Sequence, residues 1–466
     1  MPLAGIIILN LPLGNIMRRS AYVFAFGLFL IQIALAIFHY PGLWAGGLGA
    51  VDLFFKVSFT VDRLSFIVLL SIGIVSLTSL IVGRYTISDD DQRFNFINLL
   101  IIASIGMCGI VMVRDIFSLY VFLEVVAVTS FILIALQKDR LALEGAFKYI
   151  VMSAIATIMM LASIALIIMV TGDTSFSAIR QALYGSRDAF IVKLATGLFV
   201  CGLFIKGGLV PFHGWLPDAY SQAPSAVSIL LAGIVTKVSG IYTLIRLVTS
   251  VFGFTDNIKG VLILVGVISM LFGAFAALTQ NNFKRMLAYS SVSQVGYILA
   301  GLGTGTMLGV VGAIFHFFNH AIFKTLLFVN SAAVEKSTGK VDMDEMGGLS
   351  ERMPVTGATS LVGFLSTSGI PPFAGFWSKL MIIMALWFSG HYTYAVIAVL
   401  ASVLTLAYLL MMQRKVFFGK LAVAFQDIKE APAGFAAIAV VLALITIGVG
   451  VFFPVVFNVY LNQFIK

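Results

Sequence analysis

Long apolar runs follow one another along almost the whole chain, and that feature decides what it can fold into. They fall near 3–14, 21–39, 62–83, 95–113, 116–136, 147–171, 190–209, 225–249, 258–279, 285–303, 307–334, 355–389 (interrupted), 391–413 and 433–456. A helix crossing a bilayer needs about 20 apolar residues. The predicted fold is therefore all-α and polytopic, with about 14 transmembrane helices. The first run is short for a crossing. Charged residues make up 11% of the chain, where a soluble domain has about a quarter. A globular enzyme is excluded.

The net charge of +9 would point to nucleic acid in a soluble protein. Here it reads as loop lysine and arginine plus buried lysines, and no nucleic-acid partner is expected. With the N-terminus outside, the inner loops hold Arg18, Arg19, Arg84, Arg93, Lys138, Arg140, Lys284, Arg285, Lys336, Lys340, Arg352, Arg414, Lys415, Lys420 and Lys429. The outer connections hold Lys56, Arg114, Arg180, Arg187, Lys193 and Lys259, with Lys466 at the end. That bias places both termini outside. The chain's two cysteines, Cys108 and Cys201, lie in apolar runs, which excludes a cysteine-ligated iron–sulfur cluster and a disulfide framework on this chain. There is no Walker motif, and the Gly301–Gly303–Gly305 run reads as a loop between spans. No cofactor is expected. No basic region precedes the first apolar run, so it is not read as a cleavable signal.

The most informative stretch is Cys201–Ser225, CGLFIKGGLVPFHGWLPDAYSQAPS. An apolar helix enters it carrying Lys206. Gly207, Gly208 and Pro211 then break that helix, since proline removes a donor and clashes with the preceding turn. His213, Trp215, Asp218 and Tyr220 follow. One reading of Lys206 is a side chain reaching for the interface. The other is a site, because an ammonium at mid-membrane costs roughly 2.5–3.5 kcal/mol even on the lenient insertion scale. Broken backbone is tolerated in membranes where it lines a cavity or is covered by protein, which is how transporter ion sites are built. A second break follows at Gly369–Leu380, GIPPFAGFWSKL, around Pro372. A shift of about 167 residues lays 115–136 over 282–303 and 147–167 over 314–334, and brings Lys206 near that second break. PFHGW at Pro211–Trp215 and PFAGF at Pro372–Phe376 are local copies. Two five-helix repeats of opposite topology are predicted.

Ionisable residues recur at membrane depth: Glu124, Lys148, Lys206, Lys237, His316, His320, Lys324 and Lys379. His316, His320 and Lys324 stand at i, i+4 and i+8 and share a helix face. Lys206 is the proposed partner of Glu124, since a charge in hydrocarbon needs a counter-charge. Lysine holds a proton that desolvation loosens and a carboxylate tightens, and histidine titrates near neutrality. Such groups can pass protons. As a bland alternative they are polar ties between helices. HFFNH at 316–320 lacks the glutamate of a zinc-protease motif and a third ligand, so no metal site is expected. Tyr289, Ser290, Ser291, Ser293 and Gln294 make the tenth run polar, fit either to hold water or to bond neighbouring helices.

Several stretches then resemble a known family: FLEVVAVTSFILIAL, EGAFKYIVMSAIAT, the 205–246 segment, NNFKRMLAYSSVSQVGYI, HFFNHAIFKTLLFVNSAAV and GIPPFAGFWSKLMI. They are similar to the antiporter-type membrane subunits of respiratory complex I, membrane-bound hydrogenases and multisubunit Mrp sodium/proton antiporters, over most of residues 60–420. The resemblance implies fourteen helices, two inverted repeats, broken seventh and twelfth helices and a hydrated polar axis. By position it matches Glu124, Lys206 and Lys237 to the family's fifth-, seventh- and eighth-helix ionisable groups. His316, His320 and Lys324 fall in the eleventh-helix relay, and Lys379 matches the terminal group, where some complex I members carry glutamate. By the same resemblance the chain is expected to be a type without the long lateral helix of the largest subunits, and its thirteenth span has no charged residue.

The predicted organisation is 1–94 (helices 1–3), 95–250 and 251–415 (the repeats) and 416–466 (helix 14). The predicted function is a proton-translocating subunit, without a redox centre of its own, of a redox-driven complex in a prokaryotic cytoplasmic membrane. Its partners would be other membrane subunits, peripheral redox subunits and protons. The alternatives are an Mrp-type exchanger subunit, with sodium as a second ion, and a non-transporting structural subunit.

Overall fold

The computed structural model describes residues 6, 7, 10, 15–38, 59–185 and 189–461. Most of the 3–14 run lies outside them, as do Lys56, Arg187, Lys466 and the side chains of Arg18 and Arg19. Among the described residues every named element is helical, and the extended pairings are isolated bridges such as Asn282 with Asp342.

In chain order the helices are α1 (Asn15–Phe38), α2 (Arg63–Thr86), α3 (Asp90–Met112), α4 (Ile116–Ile134), α5 (Arg140–Thr171), the short α6 (Phe176–Tyr184), α7 (Phe190–Gly207), α8 (Trp215–Gln222), α9 (Ser225–Phe252), α10 (Asp256–Leu278), α11 (Phe283–Gly303), α12 (Met307–Thr338), α13 (Pro354–Ser368), α14 (Ala374–Phe388), α15 (Tyr392–Val416) and α16 (Ala433–Val451). Eleven stretches of helix among the described residues are long and apolar enough to cross a membrane. Every predicted run from 21–39 onward is matched by helix, and the interrupted one by α13 and α14.

Local chemistry sets the ends. Asp89, Asp115, Asp139, Asn282 and Thr306 each accept a backbone N–H from the first turn of the helix they precede, replacing one of its orphan partners. The two breaks begin at glycines in the left-handed region, Gly208 (φ 67°) after α7 and Gly369 (φ 81°) after α13, a conformation that costs other residues 1–2 kcal/mol, roughly. Pro211, Pro371 and Pro372 follow and prevent the helices from resuming at once.

The chain divides into two units. The first is Met1–Leu80, Ile87–Gly208 and Ile234–Thr255, and the second is Ile81–Thr86, Leu209–Gly233 and Asp256–Lys466. In the first, α7 meets the middle of α9 backbone to backbone at Gly207 and Gly240. The middle of α9 is wound more widely than an α-helix, with π turns at Leu231–Val235 and Lys237–Tyr242. In the second unit α10 and α11 touch through small residues. A Cβ on Gly273 would lie 2.5 Å from Ser293 N, and one on Gly296 would lie 2.5 Å from Gly266 O. Close approach of this kind replaces the hydrophobic drive that lipid removes.

Candidate functional site

The first unit holds the predicted pair. Lys206 sits in the last turn of α7, and its Nζ lies 3.1 Å from Glu124 Oε1 on α4. The ammonium also donates to Ser153 Oγ at 2.8 Å, and Thr157 Oγ1 donates to Glu124 Oε1 at 2.6 Å. Ser153 and Thr157 are one turn apart on α5, so one face of that helix binds both members of the pair. The two ends differ in access: the Lys206 side chain is 3% exposed and that of Glu124 30%. Lys237, 1% exposed, begins a π turn of α9 three residues before Gly240. Irregular turns of this type are frequent at functional sites. Lys148 lies near the start of α5. It is partly exposed and paired with Glu144 at 2.7 Å, one turn back on α5.

The same unit carries a cluster that sequence reasoning missed. Arg246 grips Asp62 with both terminal nitrogens, at 2.5 and 2.8 Å, and Arg114 approaches the same carboxylate at 3.4 Å. Arg246 also donates to the Tyr242 hydroxyl, which donates to Val111 O at 2.8 Å. Burial alone would raise the Asp62 carboxyl. The hydrogen bond and charge of Arg246, the charge of Arg114 and the Ser65 N–H outweigh it and hold Asp62 well below the usual carboxylate range.

In the second unit the remaining groups gather on α11, α12 and α14. Lys324 Nζ donates to Ser290 Oγ at 2.8 Å and Leu287 O at 3.1 Å. The rings of His320 and His316 stack with centroids 6.2 Å apart. His316 Nδ1 is 2.9 Å from Ser378 Oγ, next to Lys379 on α14. Lys379 is 3% exposed, and its Nζ lies 4.6 Å from the ring centroid of Tyr297, whose ring is 5.9 Å from that of His316. The break makes room for Lys379: a Cβ on Gly369 would sit 3.1 Å from its Cδ. A histidine–lysine series thus runs from the middle of α12 to α14. His213, in the turn after Pro211, packs its ring 4.5 Å from that of Phe272. Lys284 pairs with Glu335 at 2.6 Å, and Arg285 with Asp218.

Residues 113–405 match the family described as NADH:quinone oxidoreductase/Mrp antiporter, transmembrane. The chain belongs to that family.

As a member of the NADH:quinone oxidoreductase/Mrp antiporter family it is an integral membrane protein. The D-type subunit of a Na(+)/H(+) antiporter from Alkalihalophilus pseudofirmus is 33% identical over 385 residues, covering 82% of this chain and 77% of that protein. The N-type subunit of an NADH-quinone oxidoreductase from Desulforudis audaxviator is 34% identical over 319 residues, 68% of this chain and 64% of that one. This chain thus spans about three quarters of the first relative's length and just under two thirds of the second's. The fold superposes on a chain of the Mrp complex from Dietzia sp. DQ12-45-1b with TM-score 0.88 at 24% identity, covering 99% of this chain and 97% of that one.

Proposed function

We propose that this family member translocates protons, as one membrane subunit of a redox-driven complex, through the buried groups of its two units. Glu124, Lys206 and Lys237 act in the first, and Lys324, His320, His316 and Lys379 in the second. Lys148, ion-paired at the surface with Glu144, is assigned no transfer step, and the breaks at Pro211, His213 and Pro372 give the helices their ends. The observation that carries the reading is the Glu124–Lys206 pair, with its unequal access. A neighbouring subunit that displaces the more exposed Glu124 takes the counter-charge from Lys206. The ammonium then gives up its proton, and Lys237 stands on the helix in backbone contact with its own. A coupling of a few kcal/mol is enough, because one pKa unit is about 1.4 kcal/mol.

A second reading, a subunit of an Mrp-type Na+/H+ exchanger, is supported by the antiporter relative, 33% identical over 82% of the chain. The subunits that copurify separate the two: hydrophilic cluster-binding partners support the first, and small membrane subunits alone support the second. The test of translocation is proton pumping into vesicles by complexes carrying Lys206→Ala or Glu124→Ala. Loss of pumping with intact assembly is expected, and undiminished pumping would reject the reading.

A further inference from the structure

Lys379 differs from other buried lysines in what it meets. Lys206 has Glu124 and Ser153, Lys284 has Glu335, and Lys324 has Ser290 and the Leu287 carbonyl. Lys379 is buried as they are, yet its Nζ has no hydrogen-bond partner among the described residues. A buried ammonium without compensation is expensive. What faces it is a ring: the Nζ stands 4.6 Å from the centroid of Tyr297 on α11. That is within the roughly 6 Å over which the electron-rich face of an aromatic ring attracts a cation.

The ring is held from several sides. The Tyr297 hydroxyl donates to Ala398 O at 2.7 Å and lies 2.9 Å from Ser402 Oγ, both on α15. Its polar end is thus taken by α15, and the ammonium meets the ring face, not the hydroxyl. The ring itself is fully buried, in an apolar cluster with Ile382 and Leu386 from later turns of α14 and Ala401 of α15. Such surroundings keep water from the ammonium, and a desolvated cation is drawn to a ring most strongly. The Lys379 stem passes Gly369, and its head reaches the ring. The His316 ring is 5.9 Å from that of Tyr297, and its Nδ1 is 2.9 Å from Ser378 Oγ, one residue before Lys379. Tyr297 therefore neighbours both ionisable groups at this end of the series.

We propose that Tyr297 is the positioning residue of Lys379: its ring face takes the place of the counter-charge that the lysine lacks and holds the ammonium beside His316. The role of this contact in transport rests on the translocation reading above, but the contact itself does not. The test replaces Tyr297, in the assembled complex, by leucine, by phenylalanine and by phenylalanines carrying one, two or three fluorines. Fluorine draws electron density from the ring face and changes the ring's size little. Tyr297→Leu should lower translocation about 10-fold or more, and Tyr297→Phe, which loses the bonds to α15 but keeps the face, should rescue most of that loss. Each added fluorine should remove part of the rescue. Unfolding midpoints should fall along the fluorine series with Lys379 present and stay level in a Lys379→Met background, since a double-mutant cycle isolates the pair. If the leucine variant does not assemble, the fluorine series decides alone, because its members differ chiefly in the ring face. A flat series, or equal losses in the two backgrounds, would overturn the proposal. Translocation that ignores the series while the midpoints follow it would overturn the role in transport. Midpoints that follow the series, together with pumping that ignores Lys206→Ala, would leave Tyr297 as the support of Lys379 and remove the translocation reading.

Discussion

Gly240 rests directly on Gly207, so that a Cβ on Gly240 would fall 2.4 Å from the Gly207 Cα and 3.1 Å from Leu203 O. The contact is backbone on backbone, and no side chain can turn aside to relieve it. It also brings together the helices that carry Lys206 and Lys237. Gly240→Ala should force α7 and α9 apart, costing about 1–3 kcal/mol or more, and should lower translocation in whatever complex still assembles. Gly197→Ala on the same α7 is the control, since nothing lies within 4 Å of its Cβ position. Thermal unfolding of the purified variants and pumping per assembled complex check both. Equal behaviour of the two variants would remove the contact from the argument.

The unequal exposure of Glu124 and Lys206 predicts unequal consequences. Glu124→Gln leaves an almost fully buried ammonium without its counter-charge, and breaking a buried pair in this way costs about 3–5 kcal/mol. Lys206→Met leaves a carboxylate that is 30% exposed and can find water, so about 1 kcal/mol is expected. The double variant should resemble Lys206→Met in stability, and all three should fail to pump. Unfolding midpoints in detergent decide the order, and a more damaging Lys206→Met would show that Lys206 does not depend on Glu124.

Asp62 makes the prediction for pH. Its carboxyl is depressed in the folded chain, chiefly because Arg246 and Arg114 overcome the effect of burial. A depressed carboxyl adds stability above its unfolded pKa of about 3.9 and loses it as pH falls from there toward the folded value. The wild type should therefore shed stability below about pH 4, and Asp62→Asn should lack that component. The Asp62 side chain is 47% exposed, so solvent screens the pairing, and at neutral pH the variant should be weaker by about 1 kcal/mol, with Arg246 left facing Arg114. Unfolding midpoints across pH 3–7 provide the check, and parallel profiles for the two proteins would exclude the assignment.

What is legible in the sequence is charge in the wrong solvent. Lys206 before Gly207, Gly208 and Pro211 marks both the site and the break, and Glu124 is the carboxylate needed to balance it. The shared face of His316, His320 and Lys324 follows from helix periodicity alone. Arg246 is not legible, because it stands near a helix end, where arginine is ordinary, and its partner Asp62 is 184 residues away. Tyr297 escapes notice because it is neutral, and only packing brings its ring to Lys379. The π turns at Lys237 leave no local mark, since they arise where α9 meets α7. Lys148 stands near the start of its run, and Glu144 four residues earlier is the available signal for their ion pair.

The connection from α15 to α16 provides the last test. Helix α13 starts at Pro354, and Met353 before it supplies no side-chain cap. The missing acceptor comes from Glu430, 75 residues on, which takes the Val355 N–H at 2.8 Å, the Thr356 N–H at 3.3 Å and the Thr356 hydroxyl at 2.6 Å. A carboxylate there satisfies orphan donors and sits at the positive end of the helix dipole. Because α13 leads into the break that seats Lys379, the loop fixes one side of that seat. Glu430→Ala should cost about 1–2 kcal/mol and should speed amide exchange at residues 355–357 first. Glu430→Gln keeps the hydrogen bonds but loses the charge, so it should fall between the two. Unchanged exchange at 355–357 in Glu430→Ala would mean that the first turn of α13 finds its acceptors elsewhere.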